Sequence, residues 1–263
     1  MRLVPLSMTV VVTTAILLPT APAMAAATVF DDFNGPEGAP PSSQYWDYDG
    51  GAWYFNGQLQ RETNSPDNIR LNGQGQLVIQ ALNTPTGITS GRLVTRGKVS
   101  MLYGTMKARI KMPSGQGISP AFWLLGTDID SVGWPQCGEI DLLEMPNTGT
   151  HFYSTLIGPW VERPAGAEPG YSVRADGPIA DLSADFHNYW VARSPNKVVL
   201  GIDDVAVGTF TPQSLTSNQQ WVFEHPMYAL LNIAVGDAWA GPPDATTPWP
   251  ATMLVDWFRW DPT

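Results

Sequence analysis

The chain has 263 residues and carries 14 Lys and Arg against 24 Asp and Glu, a formal net charge of −10. That balance excludes the partners that need clustered positive charge, nucleic acids and anionic membranes, and leaves neutral ligands untouched. The single cysteine, Cys137, excludes an intramolecular disulfide, so stability must come from packing.

Residues 1–25 read as an export signal, with Arg2 at a short positive start, an apolar stretch over 10–18, and the small residues Ala23-Met24-Ala25 for cleavage. The stretch is too short to span a bilayer and no later apolar run approaches that length. A secreted, soluble chain starting near Ala26 is therefore expected, folded as one domain over 26–263. The 25 Gly and 24 Pro are spread throughout instead of marking a linker, and no repeat appears.

Helical periodicity is nearly absent, whereas alternation of period two recurs. The first expected strand is 76–82. The cleanest is 105–112, where Met106, Ala108, Ile110 and Met112 face one way and Lys107, Arg109 and Lys111 the other. Strands follow at 138–145, 188–193, 197–202 turning at Asp203-Asp204 into 205–210, 227–235 and 253–260. Short strands separated by turn signals indicate an all-β sandwich. The irregular stretches 158–170 and 236–250, rich in Gly, Pro and Trp, have the length of loops that shape a site. The 11 Trp and 8 Tyr suit either a sandwich core or surfaces that stack on flat apolar faces. Cys137 reads as a small buried residue, because His151, His187 and His225 show no spacing that suggests a base partner.

Three carboxylates, Glu139, Asp141 and Glu144, interrupt an otherwise apolar segment. Charges there are costly to bury without partners. On a strand, Glu139 and Asp141 share a face, but Glu144 falls on the opposite one unless a β-bulge absorbs a residue. With a bulge, the two glutamates stand about 13 Å apart along the backbone. Side chains leaning together close that to the ~5–5.5 Å carboxyl separation of a retaining glycosidase, in which one carboxylate attacks the anomeric carbon and a protonated partner serves the leaving oxygen. Crowded acids do not all ionise together, so such a cluster holds an acid and a base side by side. Calcium ligation or solvent exposure is the alternative for an arbitrary acidic triplet. Here Trp123, Trp134, Ile140, Leu142 and Leu143 give the surroundings of a cleft.

The segment Glu139-Ile-Asp-Leu-Leu-Glu144 resembles the active-site strand of glycoside hydrolase family 16 in its bulged, laminarinase-like form. Ordered matches run along the mature chain: Phe30-Asp-Asp-Phe-Asn-Gly35, Ser90-Gly-Arg-Leu-Val94, Tyr103-Gly104, Pro120-Ala-Phe-Trp-Leu-Leu-Gly126, Leu230-Leu-Asn-Ile-Ala-Val-Gly236 and Met253-Leu-Val-Asp256. The resemblance implies a β-jelly-roll of two curved antiparallel sheets with an open concave cleft. It implies Glu139 as nucleophile, Glu144 as general acid/base, and Asp141 as the helper that hydrogen-bonds the nucleophile. It also implies Asn68, Arg92, Trp123, Trp134, Asn232 and Trp239 as cleft residues that bind sugar. No catalytic cofactor is expected. A structural calcium on the convex side is implied at Asp32, the Gly75 carbonyl and Asp256, an oxygen-only set that suits this ion; strand capping without metal is the other reading of the two aspartates.

The sequence departs from the family pattern in three places. Ser119 precedes Pro120 where Gly-x-Trp-Pro-Ala is frequent, Ile157 stands where Thr-x-His-Gly-Pro has its His, and Gly236-Asp237 replaces a frequent Gly-Gly. These bear on substrate choice more than on reaction type. The expected activity is a monomeric, retaining endo-hydrolase of β-1,3-glucan or mixed-linkage β-glucan. A β-galactan hydrolase or transglycosylase is the alternative with the same chemistry. A non-catalytic, lectin-like glycan binder is the alternative from another class; loss of a carboxylate would mark it, and all three are present.

Overall fold

A computed structural model describes residues 27–50 and 55–263; the expected export signal lies outside the described residues. These form seventeen strands: β1 Val29–Asp31, β2 Asp47–Tyr48, β3 Arg61–Glu62, β4 Ile69–Leu71, β5 Leu77–Thr84, β6 Gly87–Ser90, β7 Arg92–Val94, β8 Gly104–Lys111, β9 Ile118–Gly126, β10 Glu139–Glu144, β11 His151–Pro159, β12 Gly170–Pro178, β13 His187–Ser194, β14 Lys197–Ile202, β15 Val205–Phe210, β16 Met227–Val235 and β17 Ala251–Pro262. Among the described residues no helix is long and apolar enough to cross a membrane.

The alternation read in the sequence is the alternation of burial. In β8, Met106, Ala108 and Ile110 are fully buried while Lys107, Arg109 and Lys111 keep contact with water. β8 belongs to a ten-stranded sheet ordered β15-β14-β13-β8-β17-β5-β6-β3, with β1 added to β17 and β4 to β5. A seven-stranded sheet, ordered β12-β11-β10-β9-β16-β7-β2, packs against it. The expected jelly-roll sandwich is present. One pair departs from its antiparallel rule: β3 runs parallel to β6, because the chain returns to that position through β4 and β5 and not by a hairpin.

Between the sheets lies one large core. Phe122 from the seven-stranded sheet meets Phe258 from the ten-stranded one with ring centroids 6.5 Å apart, and Trp46 packs edge-on against Phe258 at 5.0 Å. Truncating such a ring to Ala costs about 3–5 kcal/mol. β16 is buried at every residue, which explains its near-continuous apolar sequence. One of its faces looks into the core. The other, with Tyr228 and Leu230, joins Val94, Leu125 and Cys137 in a second apolar cluster, against which Trp123, Ile129 and Trp134 pack.

Candidate active site

The acidic strand β10 lies in the middle of the seven-stranded sheet, and its register shows how the acids share a face. Against β9, Glu139 pairs with Leu125 and Asp141 with Trp123, but then Leu143 pairs with Phe122 and Glu144 with Ala121. Two residues of β10 thus oppose one of β9. The same slip appears against β11, where Asp141 faces Thr155 and Glu144 faces Tyr153. The β-bulge expected from the spacing is therefore present. Leu142 and Leu143 both turn into the core and are fully buried, which returns Glu144 to the face of Glu139 and Asp141.

The entry to β10 is fixed by Gly138, whose φ of 68° lies in the left-handed region that favours glycine. A side chain there would also press on Val222 and Phe223. His225 places Nε2 2.7 Å from the Cys137 carbonyl oxygen and braces the same turn. From the preceding loop, Trp134 donates its Nε1–H to Glu139 Oε2 at 2.7 Å.

This surround sets the protons. Burial pushes the Glu139 carboxyl up to about 7; the hydrogen bonds from Trp134 and Asp141, and the Arg92 charge, work against that rise. Burial likewise raises Glu144 to about 8, helped by the charges of Glu139 and Asp237 and opposed by Arg174. Asp141, nearly inaccessible, is held well above the ordinary carboxylate range by burial and by the charges of Glu139 and Glu144. The Asp141 carboxyl lies beside Glu139, and its buried Oδ2 has no hydrogen-bond partner among the described residues. All three carboxyls therefore hold protons more tightly than ordinary acids, and Glu139 is the one whose ionised form accepts a hydrogen bond from Trp134 and faces Arg92.

The cleft residues expected from the sequence divide into three groups. Trp134, Trp123, Asn232 and Arg92 gather beside Glu139 and Asp141. Trp123 donates its Nε1–H to Asn232 Oδ1 at 2.7 Å, and the Arg92 guanidinium lies 5.9 Å from the Trp123 ring centroid, with Asp49 and Glu62 each 3.7 Å from it. Trp239 lies at the opposite side, 41% exposed, its ring edge-on to Tyr153 at 4.4 Å. Asn68 is corrected. It is buried, its amide donates to the Gln80 carbonyl and to Thr89, and its oxygen accepts from Thr63, so it fastens β3, β5 and β6 together instead of facing sugar.

Two residues complete the site beyond those expected, and a buried loop residue lies next to it. Tyr153 pairs with Glu144 across the bulge, Arg174 of β12 stacks over Tyr153 at 5.7 Å, and Asp237 adds negative charge near Glu144. Alternation within 151–157 and 170–178 is the signal for the first two. Glycines and prolines at the ends of both strands mask it.

Of the expected calcium donors, Asp32 follows β1 and Gly75 lies in the β4–β5 turn, where a Cβ would come 3.8 Å from the Asp32 carbonyl oxygen. Asp256 lies on the neighbouring stretch of β17, but its Oδ2 accepts from Arg109 at 2.7 Å. Asp32 and Gly75 supply oxygens of the kind calcium takes, with both Asp32 carboxylate oxygens accepting from Asn34. At Asp256 the ion has to share a carboxylate with a guanidinium.

A jelly-roll sandwich that sets two glutamates and a buried aspartate on one face of a sheet, beside tryptophan side chains, has the make-up of a glycoside hydrolase. The chain belongs to the glycosyl hydrolases family 16, whose model matches residues 62–259. It is 35% identical over 236 residues to the beta-glucanase of Rhodothermus marinus, covering 83% of this chain and 79% of that protein. It is 30% identical to glucan endo-1,3-beta-glucosidase A1 of Niallia circulans, over 92% of this chain and 39% of that longer one. The X-ray structure of the laminarinase from Rhodothermus marinus superposes with a TM-score of 0.77 at 30% identity, covering 91% of this chain and 97% of that one.

Proposed function

We propose that this glycoside hydrolase is a secreted endo-β-1,3-glucanase that cleaves internal bonds of the polymer with retention of anomeric configuration. The bulge in β10 carries the reading, because it sets a nucleophile and a proton donor on one face with a proton-holding aspartate between them. The Glu139 carboxylate attacks the anomeric carbon while Glu144 passes its proton to the departing glycosidic oxygen. A covalent glycosyl-enzyme forms. Glu144, now ionised, takes a proton from water, and that water releases the sugar from Glu139. Trp134 donates a hydrogen bond to Glu139, and Asp141 beside it loosens the hold of Glu139 on its proton, so both favour the ionised state for attack.

The substrate reading rests on the relatives, whose names specify β-glucan and β-1,3-glucan. Endo action fits binding groups on both sides of the acids, Trp123 and Arg92 on one and Tyr153 and Trp239 on the other. The test is reducing-sugar release from laminarin, curdlan, mixed-linkage glucan, agarose and β-galactan, with proton NMR on the first products. Laminarin is expected to shorten early, with β-anomers appearing before mutarotation. Cleavage confined to agarose or galactan, or α-anomers first, overturns the respective half of the proposal.

Calcium enters this proposal only as a stabiliser remote from the acids, held by Asp32 and the Gly75 carbonyl. Millimolar calcium is expected to raise Tm over that in EGTA, since an ion that binds only the folded chain adds about 2.7 kcal/mol at a hundred times its Kd. Asp32→Ala is expected to abolish the difference; equal Tm values in calcium and EGTA remove the ion from the account.

A further inference from the structure

Asp237 is a buried acid in a loop, one of the three departures from the family pattern, and the mechanism above gives it no step. Its Oδ1 accepts two main-chain hydrogen bonds, from Trp239 N at 2.8 Å and Ala240 N at 2.7 Å. Its carbonyl oxygen accepts a third, from Gly241 N at 2.8 Å. Only 6% of the residue is exposed. A carboxylate used this way replaces the hydrogen bonds that a turn otherwise leaves to water, and it fixes the loop's conformation.

What the loop carries gives the clamp its purpose. Among the described residues, Trp239 is the tryptophan that stands with the exposed large apolar side chains, and its ring packs edge-on against Tyr153. Tyr153 is the register partner of Glu144. The clamp, the indole and the phenol therefore line up beside the group that protonates the leaving oxygen. That is where the departing half of the glycan lies, opposite the Glu139 side with Trp123 and Arg92.

We propose that Asp237 is a positioning residue for the leaving-group half of the cleft: its buried carboxylate clamps the loop after β16, so that Trp239 stands on Tyr153 as the platform for the sugar that departs from, or returns to, Glu144. The inference rests on the reading of the enzyme as a retaining β-glycan hydrolase, and it is independent of which β-glycan is cleaved. The clamp has a second consequence through charge. The groups around Glu144 are Glu139 and Asp141 along β10, Arg174 and Asp176 on β12, Tyr153 with His151 beside it on β11, the uncharged Ala121 on β9, and Asp237. Two negative charges in this set lie outside the catalytic strand: Asp176 faces Arg174 and His151 at 3.5 Å each, and Asp237 helps Glu144 keep its proton.

Asp237→Asn keeps the Oδ1 acceptor and removes the charge, whereas Asp237→Ala removes both. For the polymer that the wild type cleaves, the Ala variant is expected to raise KM about five- to ten-fold, with kcat changed less than KM. On an aryl β-glycoside that carries sugars only on the Glu139 side, its kcat/KM is expected to stay within about two-fold of wild type. The amides of Trp239 and Ala240 should exchange faster in the Ala variant, a readout that needs no activity. The Asn variant is expected to restore KM and to shift the alkaline limb of the polymer profile to lower pH by about half a pH unit. Equal losses on polymer and aryl glycoside, or unchanged KM and unchanged amide exchange in the Ala variant, overturn the inference. Absence of cleavage of any β-glycan by the wild type sinks the functional reading instead.

Discussion

Glu139→Gln is expected to lower kcat on the polymer by about 10⁴-fold or more while leaving polymer binding intact, because it removes the attacking oxygen and little else. The Gln side chain is close in size, and its oxygen still accepts from Trp134, so the cleft around it is expected to keep its shape. Rate loss alone does not distinguish a nucleophile from a proton donor. Glu139→Gly does, when assayed with azide and an aryl β-glycoside. Azide entering from the vacated side displaces the aryloxide in one step, and the product is the α-glycosyl azide. The reverse assignment, with Glu144 as nucleophile, leaves the β configuration in the azide product of the Glu139 variant. NMR of the product decides between them.

The legibility of this site follows from how much of each residue's environment is local. The bulge is readable because three acids at positions 139, 141 and 144 share a face only if one residue is absorbed, and Leu142 and Leu143 offer two apolar side chains to bury. β14, β15 and β16 are readable to the residue. The first two form a hairpin with an Asp-Asp turn, and the third is apolar but for Asn232 because both its faces are covered. β11 and β12 are hidden in the sequence although they are nine residues each. Their ends carry Gly and Pro, and β12 alternates between half-exposed and exposed side chains, so the pattern has no apolar stripe.

Side-chain roles are less legible than strands, since they depend on what arrives from elsewhere in the chain. Asn68 matches a family pattern, yet its partners Gln80 and Thr89 come from β5 and β6 and close over it. Asp256 is likewise fixed by Arg109 from the strand beside it. Asp237 stands out in the sequence only as a missing glycine. Its meaning requires the loop to fold back so that Trp239 meets Tyr153, a contact between residues far apart in the chain that no local pattern encodes.

Glu144→Gln is the second large effect, and it separates two consequences of one half-buried acid. Without a proton to give, the variant is expected to lose about 10²–10⁴-fold in kcat on the polymer. On an aryl glycoside whose leaving group departs unaided, the first step should survive and the glycosyl-enzyme should accumulate. The wild-type polymer profile should fall on the acid side as Glu139 is protonated and on the alkaline side as Glu144, held up at about 8, gives up its proton; in the variant the alkaline fall disappears. Stability should move the other way. The Glu144 carboxyl rises from 4.5 to about 8 on folding, mainly through burial. Between those values the folded chain binds more protons than the unfolded one, so this residue's contribution is full below about pH 4.5 and is lost as pH rises toward 8. Gln carries no such dependence. The Tm of the variant is therefore expected to match wild type near pH 4 and to exceed it by several degrees at pH 8, each kcal/mol being worth about 2–4 °C in a chain of this size. Equal melting temperatures at both pH values would mean that Glu144 is ionised at little cost in the folded enzyme, and the proton it is assigned to deliver would have to come from another group.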